Sequence, residues 1–77
     1  MTDLFATKSE QLLSWCRQRQ VFSKADIMAY GLRAYYLRAD RQVRDFVRQG
    51  LIRRLNDREL EQRGMLHSRM AYYSWVG

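Results

Sequence analysis

The 77-residue chain has no proline, one cysteine and one histidine. Without proline, no helix is broken by a missing N–H. The backbone punctuation is left to four glycines: Gly31, Gly50, Gly64 and the terminal Gly77. The lone Cys16 excludes an internal disulfide framework. One Cys and one His also exclude a single-chain zinc site with four Cys/His ligands. No run of about 18 apolar residues is present to cross a membrane as a helix. The start, MTDLFATKSEQLL, has neither the basic opening nor the apolar core of a secretory signal. A soluble, cytoplasmic protein is therefore expected.

Lysine is scarce too. Of the 14 basic residues, only Lys8 and Lys24 are lysines, and the other 12 are arginines. Arginine suits planar, bidentate contact with phosphate and guanine edges. With a net charge of +6 and a pI near 10.1, the composition favours a polyanionic partner. The charge is unevenly placed. Residues 33–54 hold seven arginines against Asp40 and Asp45, while residues 55–77 balance Arg58, Arg63 and Arg69 against Asp57, Glu59 and Glu61.

What is present reads as a single domain over 1–77. Thr7-Lys8-Ser9-Glu10 has the spacing of a helix-capping box and opens a helix near 8–19, with Leu12, Leu13 and Cys16 on its apolar stripe. Gln20-Val21-Phe22 is a short connection or strand. Ser23-Lys24-Ala25-Asp26 repeats the cap in a weaker form and starts a short helix, which Gly31 is expected to end in a left-handed conformation. From Arg33 to Gln49 the pattern is amphipathic. Tyr36, Val43, Phe46 and Val47 face inward, and Ala34, Arg38, Arg41, Asp45 and Arg48 face outward with Arg44 on the shoulder. Its start is open within several residues, because Leu37 falls on the outer side and Asp40 near the inner one. Its end at Gly50 is firm.

Leu51–Leu55 and Met70–Val76 read as strands. The polar stretch between them is expected as a long hairpin tip opened by the turn signal Asn56-Asp57, or as a helical turn at Arg58–Arg63.

At this point the residues resemble a known family. The run SKADIMAYGL, an arginine-rich helix, then DFVRQGLIRRL and a hairpin is similar to the winged helix-turn-helix domain. The junction Val47-Arg48-Gln49-Gly50-Leu51-Ile52 looks like that family's passage from helix to wing. The resemblance implies an α+β winged helix of three helices with a C-terminal antiparallel wing of two or three strands. It also implies binding of double-stranded DNA, with the second helix of the pair in the major groove. The role would be that of a transcriptional regulator or a phage or mobile-element accessory factor, acting at the nucleoid. On this reading the DNA-facing residues are Ser23, Lys24, Arg33, Tyr35, Arg38, Arg41, Gln42, Arg44, Asp45 and Arg48, with Arg58, Arg63, His67 and Arg69 on the wing. Free N–H groups at Ser23-Lys24 would meet a phosphate. Six neutralised phosphates would give a log–log salt slope of roughly −5.

No acid–base pair, nucleophile–base constellation or phosphate-cradling glycine loop is visible. The chain is expected to be no enzyme and to take no cofactor, metal or small-molecule ligand. Cys16, on the first apolar stripe, reads as a small hydrophobe. A second reading is a protein–protein adaptor, or a homodimer, meeting its partner through the basic helix face or through Trp15, Tyr72, Tyr73 and Trp75. Tyr72, Tyr73 and Trp75 cannot all point inward from one strand.

Overall fold

The computed structural model describes residues 7–65 and 70–77. In chain order they form α1 (Lys8–Arg19), β1 (Val21–Ser23), α2 (Lys24–Arg33), α3 (Ala39–Arg48), β2 (Ile52–Arg54), α4 (Asp57–Gln62) and β3 (Tyr72–Trp75). The fold is α+β. The three strands make one antiparallel sheet in the order β1-β3-β2, so the last strand lies in the middle.

Caps fix the helix starts. The Thr7 hydroxyl accepts the Glu10 N–H at 3.1 Å and begins α1. The cap of α2, which looks weaker in sequence, closes in both directions. The Ser23 N–H donates to the Asp26 carboxylate at 2.9 Å, and the Asp26 N–H donates to the Ser23 hydroxyl at 3.1 Å. Aspartate suffices here because Ser23 and Asp26 are held in β1 and the first turn of α2, close enough for a short carboxylate to reach back.

α1, β1, α2, α3 and β2 all contribute to one core. Leu12, Cys16, Phe22, Ile27, Ala39, Val43, Phe46 and Ile52 meet there. Each large member stabilises by about 1.5–3 kcal/mol relative to exposure. β3 ties the chain ends together. Phe22 lies opposite Tyr73, and Ile52 lies opposite Trp75. Backbone bonds continue past the strand ends, from Lys24 N–H to Ala71 O (2.9 Å) and from Trp75 N–H to Gln20 O (2.7 Å).

Three expectations are corrected. First, Gly31 does not end α2. It lies inside the helix and is buried, and the left-handed position falls on Tyr35 at φ 53°. The Tyr36 N–H donates to Gly31 O at 2.7 Å and the Tyr35 N–H donates to Leu32 O at 3.4 Å, which is the bonding of a Schellman end with tyrosine in the usual glycine place. Gly31 is needed for a different reason. A Cβ there would lie 2.7 Å from Tyr36 O and 3.3 Å from the Ala39 Cβ.

Second, the amphipathic helix does not begin at Arg33. It begins at Ala39, because residues 34–38 are spent turning the chain. Leu37 therefore sits in the turn, 84% exposed, and Asp40 lies in the first helical turn. The helix ends as expected. Gly50 takes φ 80°, with Gly50 N–H to Val47 O at 3.1 Å and Leu51 N–H to Phe46 O at 3.0 Å.

Third, there are four helices among the described residues, not three. Asn56 is the N-cap of α4, closing a second reciprocal capping box with Glu59. Leu60 pins α4 down as a buried residue. The long connection is thus helical at its start, the alternative that Arg58–Arg63 left open.

Gly31→Ala tests the close approach. Alanine gains up to about 1 kcal/mol in helix propensity, but the clash is with backbone and should cost about 1–3 kcal/mol. Urea denaturation should show a net loss of stability, and a more stable variant would contradict this packing.

Candidate nucleic-acid interface

α3 is held by its inner face, and that decides what it shows outside. Ala39, Val43 and Phe46 are buried, with Val47 packed at the edge of the core. At 100° per residue the opposite direction falls on Arg41, Arg44, Asp45 and Arg48. Arg41, Arg44 and Arg48 follow one ridge at i, i+3 and i+7, with about 10 Å between the first and last along the axis. Arg38 is the N-cap residue of α3, carrying no side-chain cap bond, and is exposed beside the ridge.

The ridge is partly neutralised from within. Arg44 pairs with Asp40 at 3.1 Å and Arg48 with Asp45 at 3.5 Å. Both are exposed intrahelical pairs worth about 0.3–0.5 kcal/mol each. A charge-assisted contact to phosphate easily outweighs that. Among the described residues, no carboxylate lies within ion-pairing distance of Arg33, Arg38, Arg41 or Arg54.

Several expected residues sit away from the outer face of this helix. Lys24 and Arg33 are exposed at the two ends of α2. Gln42 is half-buried, and its side-chain carbonyl accepts the Tyr36 hydroxyl at 3.4 Å. Ser23 is 6% exposed. The N–H groups of Ser23, Lys24 and Asp26 are all taken within the chain, by the Asp26 carboxylate, Ala71 O and the Ser23 hydroxyl. The start of α2 therefore offers a phosphate chiefly the Lys24 ammonium.

Asp26 itself is held below the usual carboxylate range, first by the Ser23 N–H, with the Ser23 hydroxyl and the Arg19 guanidinium at 3.2 Å adding to it.

The second basic element is less basic than its residue list. Arg53 on β2 makes a two-point contact with Glu59 of α4, one limb at 2.6 Å. Glu59 also accepts the Asn56 N–H, and the two contacts pull its carboxyl down to about 2, the Arg53 hydrogen bond first. Arg58 and Arg63 are exposed on and just after α4, amid Asp57, Glu59 and Glu61. His67 and Arg69 lie outside the described residues.

Tyr35 was expected on the DNA-facing surface, but its left-handed backbone was not. It is 88% exposed and left-handed, so its ring adds nothing against a backbone strain of about 1–2 kcal/mol that the hydrogen bonds of the helix end offset. The aromatics expected as an exposed surface, Trp15, Tyr72, Tyr73 and Trp75, are half-buried. Tyr73 stacks on Phe22 at 6.0 Å, Trp15 packs on Tyr30 at 4.9 Å and on Phe22 at 5.3 Å, and Trp75 packs against the core. Tyr72 is half-buried.

Cys16 is fully buried, and that burial pushes its thiol up to about 12, which removes it as a nucleophile at neutral pH. Among the described residues, no group of three or more His, Cys, Asp or Glu is placed to hold a metal ion, and no helix is long and apolar enough to cross a membrane. Comparison with protein-family models, with curated proteins and with solved structures finds no match.

Two measurements test this geometry. Tyr35→Gly should raise stability by roughly 0.5–1 kcal/mol in urea by relieving the left-handed strain. A loss of stability would mean the ring is held by contacts in the chain. Glu59→Gln tests the tie from β2 to α4. A depressed carboxyl stabilises above its unfolded value near 4.5 and loses that contribution as pH falls toward about 2. The melting temperature of the wild type should therefore exceed that of the variant at pH 6 and converge on it between pH 4.5 and 2. A gap independent of pH would rule out the ion pair as its source.

Proposed function

We propose that the chain is a winged-helix module that binds double-stranded DNA, with α3 in the major groove. The observation that carries this reading is the arginine ridge. Arg41, Arg44 and Arg48 project along one line of a helix whose other side is locked into the core. A helix about 10–12 Å across fits the major groove, and guanidinium groups there pair with guanine O6/N7 and with flanking phosphates. The element order supports the reading, since a helix pair followed by two strands of a three-stranded sheet is the arrangement the resemblance implies.

Roles divide by position. Arg41, central on the outer face and without an internal carboxylate, is the candidate base reader. Arg44 and Arg48 exchange weak internal pairs for phosphates. Arg38 and the ring of Tyr35 stand where α3 enters the groove. The region from α4 onward contributes little net charge, because Asp57, Glu59 and Glu61 balance Arg58, Arg63 and Arg69. The activity is that of a regulator or accessory factor that places itself on DNA and performs no chemistry there.

Titrating a duplex pool across about 50–200 mM salt tests the proposal. Three arginines, Arg38, Arg44 and Arg48, each neutralising one phosphate give a log–log slope of roughly −2.7. Arg41→Ala should weaken binding by about 1–3 kcal/mol, roughly tenfold or more, and relax sequence preference. Binding that ignores both salt and the substitution would remove DNA as the partner.

A further inference from the structure

The outward side of α2 is apolar. Ala25, Met28, Ala29 and Leu32 are all exposed, at the i, i+3, i+4, i+7 spacing of a helix-packing seam. Met28 is 56% and Leu32 69% exposed, while the other side of the helix, Ile27 and Gly31, is buried. Single exposed apolar residues are ordinary on a protein surface, but a continuous stripe along a helix marks a place where something binds.

The charges around the stripe indicate what binds. Lys24 stands at one end and Arg33 at the other, both exposed. The helix has one acid, Asp26, which is engaged by Ser23 and Arg19. A second copy of this chain fits badly. Two stripes packed antiparallel about the midpoint between Met28 and Ala29 set Lys24 opposite Arg33 of the other copy. Packed parallel, they set each cation against its own kind. Both arrangements place like charges in contact. The helix is also only ten residues long, about 15 Å, a small seam for a self-sufficient dimer. DNA is no better a match, since methyl and thioether groups gain nothing from phosphate.

We propose that α2 docks an amphipathic helix of a partner protein, its apolar seam flanked by acidic residues. The two alanines let the helices approach closely, Met28 and Leu32 fill the gaps, and the partner's carboxylates meet Lys24 and Arg33. This stripe lies on α2 and the arginine ridge on α3, so the substitutions that test the one leave the other unchanged.

Synthetic three-heptad peptides serve as probes: one with a leucine seam and Glu flanks, one with Lys in place of Glu, and one with Gln in place of Leu. The full chain should bind the first at least about tenfold more tightly than either of the others. Joint replacement Met28→Gln with Leu32→Gln should abolish that preference while leaving the melting temperature and duplex binding intact. The proposal is overturned by equal binding of the Leu and Gln peptides, or by no binding up to about 0.1 mM. A concentration-dependent dimer that the double variant dissolves would put a second copy on the face. A loss of duplex binding in the double variant, as large as that of Arg41→Ala, would put DNA there.

Discussion

The approach of α2 to α3 at Gly31 sets the rest of the arrangement. Tyr36 O and the Ala39 Cβ lie where a side chain on residue 31 would be. That contact brings the start of α3 against the body of α2, and Ala39, itself small and buried, completes it. The chain must leave α2 and come back within residues 34–38. The turn is paid for by a left-handed Tyr35 and by the strong bond from Tyr36 N–H to Gly31 O. Lys8 joins the same place, its ammonium donating to Ala34 O at 2.6 Å. Once α3 begins at Ala39 rather than earlier, its phase is fixed by Val43 and Phe46, and the arginines fall on one outward line.

The electrostatic pattern follows from the same phase. Asp40 and Asp45 are spaced so that Arg44 and Arg48 have weak internal partners, while Arg38 and Arg41 have none among the described residues. A surface pair of this kind stabilises little and can be given up cheaply. Arg53 is different, since Glu59 holds it at two points and is itself held by the cap of α4. The arginine excess between residues 33 and 54 is therefore directional. It is unpaired at Arg38, Arg41 and Arg54, weakly paired at Arg44 and Arg48, and held at Arg53 by Glu59 among the described residues.

Much of this was legible from residue types. The caps at Thr7 and Ser23, the junction at Gly50 and the inner stripe of α3 are local features, set by hydrogen-bonding side chains and helical periodicity. The role of Gly31 was not legible in the same way. A glycine near a helix end satisfies the local rule for a left-handed cap, and only the presence of α3 across from it shows that the position needs the absence of a Cβ. The start of α3 was hidden for the same cause, because residues 33–38 have a helical pattern that the tertiary turn overrides. For the C-terminal aromatics, alternation guided well as far as it went: Tyr73 and Trp75 pack on the core, with Phe22 stacked on Tyr73, and Tyr72 alternates with them and is half-buried.

The helix pair ends up with two outward faces of opposite chemistry, and the core explains why both can exist. A small domain has few apolar residues to spend, and burial here uses one side of each helix. α3 then carries arginine on its free side, while α2 carries Ala25, Met28, Ala29 and Leu32 on its own. Left alone, such a stripe favours self-association. The cations at its ends oppose that wherever two copies approach, and a net charge of +6 opposes it at longer range. On the proposed function, the same positive charge would both draw α3 toward phosphate and keep the apolar face of α2 open for a partner of the other sign.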